Sequence, residues 1–246
     1  MSLTVLVGAR RASSWLAYAS AACWIVGNVA ALLFYALELP TSLADGMKPQ
    51  VFGPLGDYAS LFQFVFLLPL PLILRQVSSS GQRGPAAVAA LGVSGALLGA
   101  IAQTLLVTGV VAFEMNLPLV VAALVLIGGW MFLANRRGRS EGFLSARLAL
   151  LGAFAGATFA LVMSLTLAVL LAAALNPRAI ANPGAFTQGA PALIVIAIVT
   201  IIPAALACFF LVPIWLIGLG RQLYTAPGGV GHSDWRRTPV TLADVA

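Results

Sequence analysis

Charge is what this sequence has least of. Its 246 residues include 13 basic and 7 acidic side chains, so 8% are charged, against about 25% in an ordinary globular chain. So few charges cannot cover a water-soluble surface. A cytosolic enzyme, a nucleic-acid-binding domain and a disordered chain are all excluded on that ground. Histidine is nearly missing, with His232 the only one, so the apolar segments can hold no bis-histidine haem and no histidine metal cluster. The two cysteines, Cys23 and Cys208, lie inside apolar runs. There they behave as small hydrophobes and offer neither a disulfide nor a metal knuckle. What fills the chain instead is hydrophobic: 61% of residues, with a mean hydropathy of +1.02. This is the composition of a polytopic membrane protein.

A membrane helix needs about 20 mostly apolar residues to cross about 30 Å of hydrocarbon. Six segments meet that length: about 15–38, 58–74, 86–113, 117–134, 148–175 and 192–220. The connection Glu114-Met115-Asn116 is short enough to force antiparallel neighbours. The expected fold is all-α: one membrane domain, a six-helix up-down bundle, with a short tail over 222–246. The loops over 39–57 and 176–191 are rich in turn residues and too small for a second domain.

Orientation follows from the basic residues. Arg10, Arg11, Arg75, Arg83, Arg136, Arg137, Arg139, Arg147, Arg221, Arg236 and Arg237 fall on one side, and only Lys48 and Arg178 on the other. Both termini are therefore expected in the cytoplasm of a bacterial inner membrane, with the basic face toward anionic lipid headgroups. That distribution explains the basic pI without nucleic acid. Trp15, Tyr18, Trp130, Trp215 and Tyr224 are expected near the inner interface and Tyr35 and Tyr58 near the outer one, while Trp24 lies deeper, between helices. The apolar run after Arg10-Arg11 continues to Leu37, which is too long for a cleaved signal peptide.

Small residues recur at four-residue spacing in Gly95–Gly99 and Gly152–Gly156. In lipid, helices associate where small side chains let backbones approach, so these stripes predict helix packing within the bundle, or else a homo-oligomer contact. Pro69 and Pro71 in the second span, and Pro203 and Pro213 in the sixth, each remove a backbone donor and predict kinks.

The search for chemistry is mostly negative. Gly92-Val93-Ser94-Gly95 resembles the GxSG motif around the serine of rhomboid intramembrane proteases. No histidine or lysine in the spans can serve as its base, so Ser94 is expected at a helix contact. The spans are expected to bury no Asp, Glu, Lys or Arg, which argues against a carboxylate proton relay or a voltage sensor. No catalytic residue, metal site or cofactor is expected.

Uncharged polar residues remain. Asn28, Gln63, Gln103 and Thr104 lie in the middle or outer half of their spans, and the amides must face the bundle interior. They predict either interhelical hydrogen bonds or a polar vestibule open to the outside. Glu38 and Glu114 are read as lying at helix C-termini, where a carboxylate opposes the macrodipole. Together they form a candidate acidic rim for that vestibule. Asp57 and Asn116 stand where N-caps belong.

In layout, and in the stretches Leu148-Ala149-Leu150-Leu151-Gly152, Asn182-Pro183 and Ile214–Arg221, the chain resembles uncharacterised six-helix bacterial membrane proteins. That resemblance implies a topology and no activity. Two roles follow from the residues. One is a non-enzymatic subunit or scaffold of a membrane assembly, with a membrane-protein partner or a second copy. The other is a small transporter or binder of an uncharged or lipophilic ligand, with the outer polar residues as its site.

Overall fold

A computed structural model describes residues 3–38, 51–77, 84–175 and 209–225. Helix α1 spans Leu3–Leu33 and widens into a π-helical turn at Phe34–Glu38. There follow α2 (Phe52–Leu67), α3 (Leu70–Val77), α4 (Gly84–Val107), α5 (Phe113–Ser140), α6 (Ala146–Leu175) and α7 (Phe209–Thr225). Five stretches are long and apolar enough to cross a membrane: Arg11–Glu38, Phe52–Gln76, Ala86–Val107, Met115–Ser140 and Ala146–Ala168. α7 is a shorter apolar helix. The described residues contain no strand, and the chain is an all-helical, multi-pass, membrane-embedded protein. The first half of the expected sixth span, the loops over 39–50, 78–83 and 176–191, and the tail beyond 225 lie outside the described residues.

Helix boundaries differ from the sequence expectation for physical reasons. The third span stops at Val107 rather than 113, because Gly109 adopts φ +71°. Its N–H donates to the Leu106 carbonyl at 2.9 Å, and the Val110 N–H reaches back to Leu105 at 2.9 Å. This Schellman arrangement satisfies carbonyls that a lipid-exposed helix end would otherwise leave bare. Glu114, Met115 and Asn116 therefore belong to the first turn of α5 and not to a loop. At its other end α5 runs on to Ser140, carrying Arg136, Arg137 and Arg139 in its final turns, where cations favour the helix dipole. Arg137 also pairs with Glu141 at 2.7 Å. The second span breaks between Leu67 and Leu70, next to Pro69 and Pro71, as expected where proline N–H groups are missing.

The helices pack in sequence order around the bundle. α1 lies on α2, α2 on α4, α4 on α5 and α5 on α6. α7 closes the ring, with Gly218 against Leu148 of α6 and Gly220 against Tyr18 of α1. Pairings such as Gly92 with Trp130 and Gly95 with Ile127 fix α4 and α5 as antiparallel. The tightest crossing is between α5 and α6. A β-carbon on Gly128 would stand 2.6 Å from the Ala160 backbone nitrogen, and one on Gly156 would stand 2.8 Å from the Gly128 carbonyl oxygen. Gly95 and Gly99 face Ile127 of α5 and Phe64 of α2, so both small-residue stripes lie in contacts within the bundle. Ser94, expected at a helix contact, is instead exposed on α4.

Near the α5–α6 turn the core holds a buried polar pair. Trp215 Nε1 donates to Asn135 Oδ1 at 2.9 Å, and Asn135 Nδ2 donates to the Met131 carbonyl at 2.7 Å. Gly152 makes room for both side chains, since a β-carbon there would overlap Trp215 and Asn135. Trp130 packs edge-on against Trp215 with centroids 5.9 Å apart. Both indoles are buried between helices rather than exposed on the bundle surface. Trp15 and Tyr224 are exposed, as a belt requires. Large exposed hydrophobics such as Leu150, Phe154 and Leu161 on α6 form the outer surface that lipid would cover.

The crossing makes a graded prediction. Gly128→Ala pushes a methyl group into backbone and is expected to destabilise by about 1–3 kcal/mol. Gly129→Ala meets only the end of Leu91 at 3.3 Å, and alanine is the better helix former by roughly 0.5–1 kcal/mol. It is expected to be neutral or stabilising. Denaturant unfolding in mild detergent reads both, and equal losses would contradict the packing described.

Candidate functional site

A cavity of about 590 Å³ opens between α1 and α2 at the end of the bundle that carries the α4–α5 turn. It lies within the range of small-molecule sites, about 300–1,000 Å³, and is far larger than one water needs. The walls come from helical faces at three- and four-residue spacing. α1 contributes Trp24, Gly27, Asn28 and Ala31, continued by Phe34 and Tyr35 of the π-turn. α2 contributes Phe52, Gly53, Gly56, Asp57, Ser60 and Gln63. Leu106 of α4 and Phe113 of α5 close the far side. Gly27 and Gly56 face each other across the two helices, where a β-carbon on either would make ordinary contact, at 3.7 and 3.6 Å from the other's carbonyl oxygen.

The position of α2 is set by Glu38. Its Oε1 accepts from the Val51 N–H at 2.6 Å and the Phe52 N–H at 3.0 Å, and its Oε2 from the Gly53 N–H at 3.3 Å. Pro54 has no N–H to satisfy, and Leu55 bonds back to the Val51 carbonyl at 3.1 Å. One carboxylate thus accounts for the free donors of this helix start, and its charge lies at the positive end of the dipole. Glu38 does end its own helix, as expected, but its carboxylate also meets the N-terminus of α2, which offsets the unfavourable dipole. One sequence expectation is corrected here. Asp57 is not an N-cap, because α2 begins at Phe52 and places Asp57 in its second turn.

The same start puts Asp57 inside the apolar stretch Phe52–Gln76, whereas it was expected just before the second span. Glu114 is corrected as well. It lies in the first turn of α5, where a carboxylate suits the dipole, and its side chain lies outside the described residues. The acidic rim of two helix C-terminal carboxylates therefore loses Glu114, and Glu38 is engaged by the start of α2. Asn116 is in the first turn of α5 rather than at its cap, and its Oδ1 is buried without a partner.

Of the other polar residues expected to gather, Asn28 and Gln63 come together on the cavity wall. Gln63 is 7% exposed, and neither amide bonds to a neighbouring helix among the described residues. Gln103 is buried with its Oε1 unpartnered, but it does not line this cavity. Thr104 is exposed and its hydroxyl donates to the Ala100 carbonyl at 2.7 Å, a local bond that leaves it nothing to offer a ligand. Sequence reasoning missed Asp57, Ser60 and Trp24. The spacing of Gly53, Gly56, Asp57, Ser60 and Gln63 was the available signal, one small and polar face on an otherwise apolar helix. Trp24 packs edge-on against Phe159 at 5.5 Å, and its Nε1 is buried with no acceptor.

No family model, curated protein or solved structure matches the chain. The residues of the cavity therefore carry the functional reading.

Removing the Glu38 cap tests how the site is built. Glu38→Ala is expected to lower the midpoint of denaturant unfolding and to increase hydrogen exchange at Val51, Phe52 and Gly53. Unchanged exchange at those three amides would show that the cap does not hold α2.

Proposed function

We propose that this protein is a membrane-embedded binder or transporter of a small lipophilic molecule, held in the cavity between α1 and α2. The observation that carries this is Gln63, a buried residue on the cavity wall whose amide bonds to no neighbouring helix among the described residues. In lipid such a group should find a partner within the protein, and here a ligand or trapped water takes that place. Asn28 and Ser60 on the same wall support the reading. A purely structural role for the amides calls for interhelical bonds, which neither makes among the described residues. On this reading the protein is no enzyme, and the subunit or scaffold role becomes secondary.

The distribution of arginines supports an orientation with both termini cytoplasmic and the cavity facing outward, in what we take to be a bacterial inner membrane. The sixth crossing would then be completed by the residues before Phe209. Anionic headgroups lie at the opposite, basic face.

Native mass spectrometry of protein gently extracted from its own membrane tests the proposal. Wild-type protein is expected to carry a small molecule in defined stoichiometry. Ser60→Phe, which places a ring in the cavity, is expected to lose it while remaining folded. A ligand-free wild type, or an adduct retained by Ser60→Phe, would contradict the cavity as the binding site.

A further inference from the structure

We infer that the ligand of this cavity is a lipophilic cation whose positive group pairs with Asp57, an inference that rests on the binding site proposed above. Asp57 lies within an apolar stretch long enough to cross a membrane, is half-buried, and lines the cavity. Among the described residues the ion pair is Arg137–Glu141, and no described basic side chain lines the cavity. A charged side chain in a membrane segment is costly and is usually kept for a partner, an ion or a substrate. An anionic ligand would be repelled by Asp57. A neutral one would leave the carboxylate desolvated and unpaired.

The rest of the wall fits the same chemistry. Phe34, Tyr35, Phe52 and Phe113 line the cavity with aromatic rings. The negative faces of such rings attract a diffuse cation, and most strongly where water is scarce. The Gln63 amide, with no partner among its neighbours, can turn its carbonyl oxygen toward a positive group. A carboxylate, aromatic rings and an amide oxygen are together a receptor for an alkylated ammonium or a similar soft cation with an apolar body. The Asp57 carboxylate takes the role that the sequence suggested for Glu38 and Glu114, and Glu38 is engaged in holding α2.

The test compares two probes of one shape and different charge. Benzyltrimethylammonium and its neutral isostere neopentylbenzene are dialysed to equilibrium against the full chain in nanodiscs, with empty nanodiscs as the partition control. Wild-type protein is expected to bind the cation at least about tenfold more tightly than the neutral isostere. Asp57→Asn is expected to bring the two affinities within about threefold of each other. Equal affinities in wild type would overturn the cation inference while leaving a binding cavity in place. A preference that survives in Asp57→Asn would overturn the role given to Asp57. Absence of saturable binding by either probe would overturn both the inference and the site on which it rests.

Discussion

In hydrocarbon a polar group has no water to bond with, and this constraint orders most of the molecule. The Trp215 indole meets Asn135, and Asn135 in turn bonds the Met131 carbonyl. The hydroxyls of Thr104, Thr108 and Thr166 turn back on carbonyls one helical turn earlier. Glu38 reaches across 13–15 residues to satisfy the start of α2, and Gly109 folds the end of α4 back on its own carbonyls. These are different devices with one purpose, to keep donors and acceptors occupied where lipid offers none.

The α1–α2 cavity stands against that background. Elsewhere small residues close the spaces between helices, as at Gly128 and Gly156, where backbone meets backbone. Between α1 and α2 the approach at Gly27 and Gly56 is looser, with room for a β-carbon, and the helices leave about 590 Å³ open. Lining that space are an amide, a hydroxyl and a carboxylate that find no hydrogen-bond partner among the described residues. Close packing in the rest of the bundle provides the rigid frame. The cavity is where polar satisfaction passes from the protein to something it binds. The aromatic rings around it supply apolar contact without adding hydrogen-bonding demands.

Much of the fold could be read in the sequence because apolar length is a strong signal. Five of the expected spans coincide with helices able to cross a membrane, and the proline pair at 69 and 71 marks a real break. Boundaries were less legible, because they depend on distant partners or on glycine conformation. Glu38 adds a turn and a half to α2 from 13–15 residues away in sequence, which no local pattern reveals. Gly109 was a readable stop signal, but the hydrophobic run continuing to Phe113 outweighed it. The site was half legible. Asn28 and Gln63 stood out as amides in apolar surroundings. Asp57 was hidden by its resemblance to a helix cap, and Asn135 by its place beside the arginines. Trp130 and Trp215 looked interfacial because tryptophan favours membrane surfaces, whereas the space left by Gly152 draws Trp215 inward.

The most direct test of the central claim is whether water reaches the cavity wall. A single cysteine placed by Ser60→Cys, with Cys23 and Cys208 replaced by alanine, is exposed in nanodiscs to a charged, water-soluble thiol reagent. A thiol in a dry apolar contact stays protonated and unreactive, whereas one facing water forms the reactive thiolate. Rapid modification of Ser60→Cys, beside no reaction at the fully buried Ala155→Cys, is the result expected of a hydrated site. A Ser60→Cys thiol as inert as Ala155→Cys would mean that α1 and α2 enclose no accessible cavity, and the functional reading would fall with it.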